Sequence, residues 1–223
     1  AEKVVSIELD ERLRPVLAET LAEYDNIEVV FGDAMELDLS KIINEHFPKD
    51  AKIAVCANLP YYITSPLIMR ILESRLPITS LTVMVQKEVA ERFCAPAGSD
   101  GYGAITASIS YYASVKRLFT VKAGSFDPKP KVDSAVIRFD LYNEPPVNPK
   151  DKSLLFDVIK SAFSQRRKTL SNALFSSFGS KLSKQECNDL IVKCGFSETV
   201  RGEELNIHDF SKIADSIYEQ INN

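Results

Sequence analysis

Short apolar runs alternate with stretches of helical period along the first half of the chain. Val4–Ile7 is a β-branched run, and Asp10 then caps a predicted helix that turns Leu13, Val16, Leu17 and Leu21 inward. Ile27–Phe31 reads as the next strand, Leu39–Phe47 as a second helix, and Ile53–Ala57 as a third strand, wholly apolar like parallel strands buried on both faces. Ser65-Pro66 opens a helix with Ile68, Ile71 and Leu72 as its inner stripe, and Leu81–Val85 is the fourth strand. After a polar helix over Gln86–Phe93, the residues Ile105, Ala107, Ile109 and Tyr111 alternate with polar ones and predict a strand, followed by Val115–Val121 and Ser134–Leu141 as antiparallel strands. The three prolines of 143–149 mark a linker. Beyond it, Leu154–Phe163, Arg167–Phe175, a helix opened by the capping box Ser183–Glu186, and Asp209–Ile221 predict helices alone. The reading is an α/β, Rossmann-like sheet domain over 1–146 and a small all-helical domain over 147–223.

Charge changes this picture more than composition does. The 223 residues are 45% hydrophobic and 26% charged, ordinary for a globular chain, and no apolar run is long enough for a membrane span. Net charge is −4, which at face value argues against a nucleic-acid partner. However, residues 1–50 carry 5 basic and 13 acidic side chains, whereas residues 115–170 carry 12 basic and 6 acidic. A polyanion needs local positive charge, and the second segment supplies it. Four cysteines without a C-x-x-C pair and two histidines argue against a structural zinc site, so no metal is expected. Cys56 is expected to be buried and inert, and Cys187 and Cys194 to pack separately. The expected compartment is the reducing cytoplasm.

Open α/β sheets bind ligands beyond the carboxyl ends of their strands, where Glu8, Asp33 and Asn58 stand after the first three strands and would face one crevice. A carboxylate such as Glu8 accepts both hydrogen bonds of a ribose diol. The glycine-rich turn of such folds lies about 20 residues before that acid, which here falls before Ala1. Gly101-Tyr102-Gly103 precedes the alternating run and reads as a turn, not a phosphate cradle. Asn58-Leu59-Pro60-Tyr61 gathers groups suited to the exocyclic amine of a flat base. The Asn58 carboxamide oxygen and the Leu59 carbonyl accept its two N–H bonds and localise its lone pair, Pro60 stiffens the loop, and Tyr61 offers a stacking face worth about 1–3 kcal/mol.

The string Asn58-Leu59-Pro60-Tyr61-Tyr62-Ile63-Thr64-Ser65-Pro66 resembles motif IV of the ribosomal RNA adenine dimethyltransferases, which use S-adenosyl-L-methionine. Val85–Arg92, Tyr102-Gly103, Phe126–Val136 and Ala162–Leu170 resemble the small-subunit, KsgA-type branch. The resemblance implies dimethylation of N6 on two adjacent adenines of small-subunit rRNA, with Glu8 holding the donor's ribose and Asp33 its adenine. Asn58 then serves both donor and target sides, and Tyr61 and Phe126 sandwich the target base. It also implies an S-adenosylmethionine-dependent methyltransferase sheet lacking its first strand and the glycine-rich loop. On that reading the 223-residue form is a truncation that binds the donor weakly and is inactive, while the full-length protein is a monomer working on the small ribosomal subunit.

Each candidate has a plainer alternative. Asn58–Tyr61 also suits a strand-ending turn, Glu8 and Asp33 a surface acid or cap, and Phe126 an aromatic anchor for an extended loop. Arg166, Arg167 and Lys168 suit a solvated helix face, but with Lys129 and Lys131 they build the basic segment and read as RNA contacts. A non-catalytic ribosome-assembly factor and a DNA adenine methylase remain as alternative functions.

Overall fold

The computed structural model describes residues 1–165 and 167–222. Six strands carry the first part of the chain: β1 (Val4–Glu8), β2 (Ile27–Phe31), β3 (Ile53–Asn58), β4 (Ile78–Gln86), β5 (Ala113–Val121) and β6 (Ser134–Leu141). β1 and β2 form a parallel pair, and the others form a sheet of order β3-β4-β6-β5. β3 and β4 are parallel, whereas β6 runs antiparallel to both β4 and β5. The antiparallel strands expected at Val115–Val121 and Ser134–Leu141 are thus present, although the alternating run before them is not a strand.

Register explains which face is core. Leu81, Val83 and Val85 stand opposite Phe139, Ile137 and Ala135, and all six are buried. Thr82 and Met84, opposite Arg138 and Val136, point to the other face and are only half-buried. α3 (Thr64–Glu73), α4 (Lys87–Phe93) and α5 (Ala104–Ile109) contribute Leu67, Ile68, Ile71, Leu72, Phe93, Ala107 and Ile109 to the same core. Cys56 pairs with Thr82, shares its face and is exposed, so the expectation of a buried thiol fails on strand parity.

Three further expectations are corrected. The alternating run at 105–111 is not a strand but contains α5, because six residues packed on two sides leave no single polar face for periodicity to read. Gly101-Tyr102-Gly103 consequently precedes a helix, and that helix leads to Ala113, opposite Leu141 and remote from the Val121–Ser134 end of the sheet. The stripe Leu13, Val16, Leu17 and Leu21 is not buried: a short 3-10 turn at Glu11–Leu13 and α1 (Arg14–Thr20) bury no residue, and Leu13 and Val16 are exposed. Asp10 does cap that turn through the Arg12 amide, and the Arg12 guanidinium holds its carboxyl down at about 2.

The second part is helical throughout: α6 (Lys152–Ala162), α7 (Leu170–Phe178), α8 (Lys184–Lys193) and α9 (Ile207–Asn222), with α2 (Leu39–His46) belonging to the first part. Asp151 caps α6 through the Ser153 and Leu154 amides, and the Ser183–Glu186 capping box opens α8. α9 begins two residues before the expected Asp209, because Asn206 accepts from the His208 and Asp209 amides. The helix expected over Arg167–Phe175 starts instead at Leu170, so Arg167 and Lys168 occupy a turn closed by the Lys168 amide on the Gln165 carbonyl. Adjacent cations are unfavourable at the positive end of a helix, and Thr169, extended in backbone, starts the helix after them. Arg166 lies outside the described residues.

Candidate functional site at the carboxyl ends of the strands

The candidate residues fall into two groups, one on each of the two sheets. On the β1–β2 pair, the Gly32 amide donates to the Glu8 carbonyl at 2.8 Å, which sets Asp33 immediately beyond the end of β1. One Glu8 carboxylate oxygen accepts from the Asp10 amide at 2.8 Å and one Asp33 oxygen accepts from the Met35 amide at 2.7 Å. Each carboxylate is fixed by one backbone donor and keeps an oxygen for a second partner. Gly32 has φ +156° and its absent Cβ lies against the Leu37 side chain, 3.0 Å from either methyl, so this turn is closely packed.

The second group surrounds the end of β3. Asn58 ends β3 opposite Met84, and its side chain is exposed. Leu59 is buried and anchors the turn, and the Pro60 carbonyl accepts both the Ile63 amide at 3.2 Å and the Thr64 hydroxyl at 3.0 Å. The turn's own hydrogen bonds thus converge on Pro60, and among the described residues none is recorded to the neighbouring Leu59 carbonyl. Tyr61 keeps an exposed ring while its hydroxyl stands 3.4 Å from that of the buried Ser134, the first residue of β6. Ser134 pairs with both Gln86 and Val121, so the ends of β4 and β5 meet here.

The loop between β5 and β6 brings Phe126 to that same end of the sheet. Asp133 ties the loop's base by accepting from the Ala123 amide at 3.0 Å and the Lys122 ammonium at 2.9 Å. Those two contacts, the amide foremost, hold its carboxyl below the usual carboxylate range. Phe126 is half-buried, whereas Lys129 and Lys131 on the same loop are exposed. Arg167 and Lys168 are exposed on the turn between α6 and α7, in the helical part.

Three supporting residues were not singled out in the sequence. Arg70, on α3, donates to the Ala34 carbonyl and, at 2.8 Å, to the Leu37 carbonyl, linking the loop after Asp33 to the helix that follows Asn58. Its signal was a lone cation among the apolar positions of α3. Ser134 and Asp133 gave none, since their partners are 73 and 10 residues away in sequence. Among the described residues no group of His, Cys, Asp and Glu side chains is placed to hold a metal ion, and no helix is long and apolar enough to cross a membrane.

The parallel β1–β2 pair with its acids, the mixed four-stranded sheet with an Asn-Leu-Pro-Tyr turn at the end of β3, and the helical part that follows define an α/β methyltransferase fold. The chain matches the ribosomal RNA adenine dimethylase family over residues 1–218 and belongs to it. It is 39% identical over 219 residues to the ribosomal RNA small subunit methyltransferase A of Oceanobacillus iheyensis, covering 98% of this chain and 74% of that protein. The protein of the same description from Clostridium acetobutylicum is 43% identical over 218 residues, covering 98% and 76%. A dimethyladenosine transferase from Plasmodium falciparum superimposes with a TM-score of 0.82 at 26% identity, covering 99% of this chain and 83% of that one. The 23S rRNA methyltransferase ErmE shares the fold, with a TM-score of 0.70 at 22% identity over 100% of this chain and 83% of that one.

Proposed function

We propose that this protein dimethylates N6 of two adjacent adenines in small-subunit ribosomal RNA during ribosome assembly, acting as a monomer in the cytoplasm with S-adenosyl-L-methionine as the methyl donor and no metal. The observation that carries this reading is the turn Asn58–Tyr61 at the end of β3, with Asn58 exposed and the open Tyr61 ring held by its hydroxyl beside that of Ser134.

The residues on the first two strands suit the nucleoside half of the donor. The remaining oxygen of Glu8 accepts from a ribose hydroxyl and that of Asp33 from an adenine amino group, each carboxylate being oriented by its backbone donor. The donor supplies an electrophilic methyl group on a sulfonium. Asn58 and the Leu59 carbonyl accept from the two N–H bonds of the target amine, which localises its lone pair along the line of attack. The amine nitrogen, so held, would take the methyl group as the bond to the donor's sulfur gives up its electron pair to sulfur, and the amine proton would pass to solvent. Tyr61 and Phe126 stack on the two faces of the extruded adenine, and holding the reactants in line supplies much of the rate. A second round on the same nitrogen gives the dimethylated base.

Lys129, Lys131, Arg167 and Lys168, with Arg166 in the same run, neutralise phosphates and position the RNA while the pocket selects the base. Replacing Arg167 and Lys168 together by Ala is expected to weaken subunit binding and lower the slope of log affinity against log salt by about 2, one per phosphate contact. An unchanged slope measured by filter binding contradicts the assignment. The reading as a whole is tested with labelled donor and unmethylated small subunits in the presence of excess duplex DNA. Label on adenine N6 of the rRNA alone is expected. Label on the DNA supports a DNA methylase, and binding of subunits without transfer in a sample shown to bind the donor supports an assembly factor.

A further inference from the structure

The contact between the sheet domain and the helical domain runs along α6 and has a different chemistry at each end. At the far end, Phe163 packs edge-on to Tyr102 at 5.8 Å and continues to Phe210 of α9 at 6.0 Å. At the near end, Phe156 stacks on Tyr112 at 5.8 Å with an interplanar angle of 14° and meets Tyr111 edge-on at 5.4 Å. Phe156 and Phe163 are seven residues apart, nearly two helical turns, so both fall on the α6 face turned to the sheet domain.

The near end also holds a cation. The Lys152 ammonium lies 5.1 Å from the Tyr112 ring centre, 5.4 Å from that of Tyr111 and 5.9 Å from that of Phe156. Two of those rings belong to the segment entering β5 and are buried, whereas Lys152 and Phe156 belong to α6. Burial, and then the neighbouring Arg75, lowers the lysine's affinity for its proton, as expected for an ammonium taken partly out of water. A cation desolvated over aromatic faces is held more tightly than one in solvent.

We propose that Lys152 is a positioning residue for the RNA substrate, its ammonium clamping the near end of α6 in a ring cage and so fixing the angle between the two domains. With both clamps in place α6 cannot swing. Without the cage the near end of α6 keeps only its apolar packing, while the Tyr102–Phe163 contact and the Gly98 amide's 2.7 Å bond to the Glu203 carbonyl still hold the far end. The helix is 11 residues long, about 16 Å at 1.5 Å per residue. A swing of about 10° over that length displaces a group by about 3 Å, more than a hydrogen bond tolerates, and it turns the cationic bend that leaves α6. The proposal rests on the function given above only for its RNA readout.

The test compares Lys152→Met, which keeps the apolar stem, with Lys152→Arg, which keeps a cation over the rings. Steady-state methylation of immature small subunits is measured together with the distance distribution between spin labels on native Cys56 and on Val192→Cys, both exposed, in a Cys94→Ala background. Lys152→Met is expected to raise KM for subunits about tenfold and to broaden the distribution, with kcat and donor affinity within about twofold of the parent. Lys152→Arg is expected to restore both. An unchanged distribution in Lys152→Met overturns the proposal. So does a joint fall in kcat, KM and thermal stability that Arg fails to rescue, since that is the signature of packing alone. If the parent binds the donor yet transfers no methyl groups, the methyltransferase reading falls, and in every case without transfer the distance distribution by itself decides the clamp.

Discussion

Asn58→Ala is expected to lower kcat for adenine methylation by at least about a hundredfold, the loss that follows removal of one preorganised polar group at a reacting centre. The carboxamide stands at the end of β3, held by the strand's parallel register with β4, and the buried Leu59 side chain fixes the next residue of the turn. Alanine removes the acceptor without disturbing either restraint, so the thermal midpoint and the affinity for small subunits should stay within experimental scatter. Asn58→Gln is informative beside it: the same amide displaced by one methylene should also lose most of the rate, because misplacement of about 1 Å costs as much as absence. Single-turnover labelling of adenine N6 checks both. Full activity in Asn58→Ala excludes the carboxamide from the reaction.

The largest effect on stability is expected at Phe139. This ring is fully buried in β6, opposite Leu81 of β4 and Val115 of β5, and meets Phe93 of α4 edge-on at 6.1 Å. It therefore joins the strands of the sheet to the helix layer on its core face. Phe139→Ala loses the transfer free energy of the ring and leaves a cavity that strands on both sides prevent from collapsing, a cost of about 3–5 kcal/mol. Set against a typical total of about 5–15 kcal/mol, that is enough to populate the unfolded chain at physiological temperature. Phe139→Leu, which fills much of the volume, should cost far less. Equilibrium urea denaturation measures the difference, and a loss below about 1 kcal/mol for Phe139→Ala contradicts this account of the core.

The two experiments separate chemistry from scaffold. Asn58 contributes little to the core and should matter for rate alone, whereas Phe139 lies on the buried face of the sheet and should reduce activity only in proportion to the fraction unfolded. A variant that breaks this separation, for example Asn58→Ala losing stability, would show the turn to be structural first.

The sequence by itself determined the elements with strong local signals. β6 was predicted at Ser134–Leu141, the capping box of α8 at Ser183–Glu186, and the helical character of the last third from its caps and period. Each rests on interactions within a few residues, which a linear pattern records. The residue types of the candidate site were equally legible, because Asn58-Leu59-Pro60-Tyr61 and the blocks after it are contiguous in the chain.

What only the tertiary structure decided depends on partners far away in sequence. Residues 104–109 became a helix because α4 and α6 pack around them, with the Thr106 hydroxyl bonded to the Arg92 carbonyl at 2.8 Å, while their alternation of apolar and polar residues suggested a strand. Arg167 and Lys168 left the predicted helix for a turn, since helix start and charge compete there. Cys56 faced outward because strand parity, not its apolar neighbourhood, sets its side. Arg70, Ser134 and Asp133 entered the site through contacts to residues 33, 36, 73 and 10 positions away, and Lys152 reached its ring cage on a segment 40 residues earlier in the chain. Local energies write themselves into short patterns, whereas the burial that selects among nearly equal local alternatives is realised only when distant segments pack together.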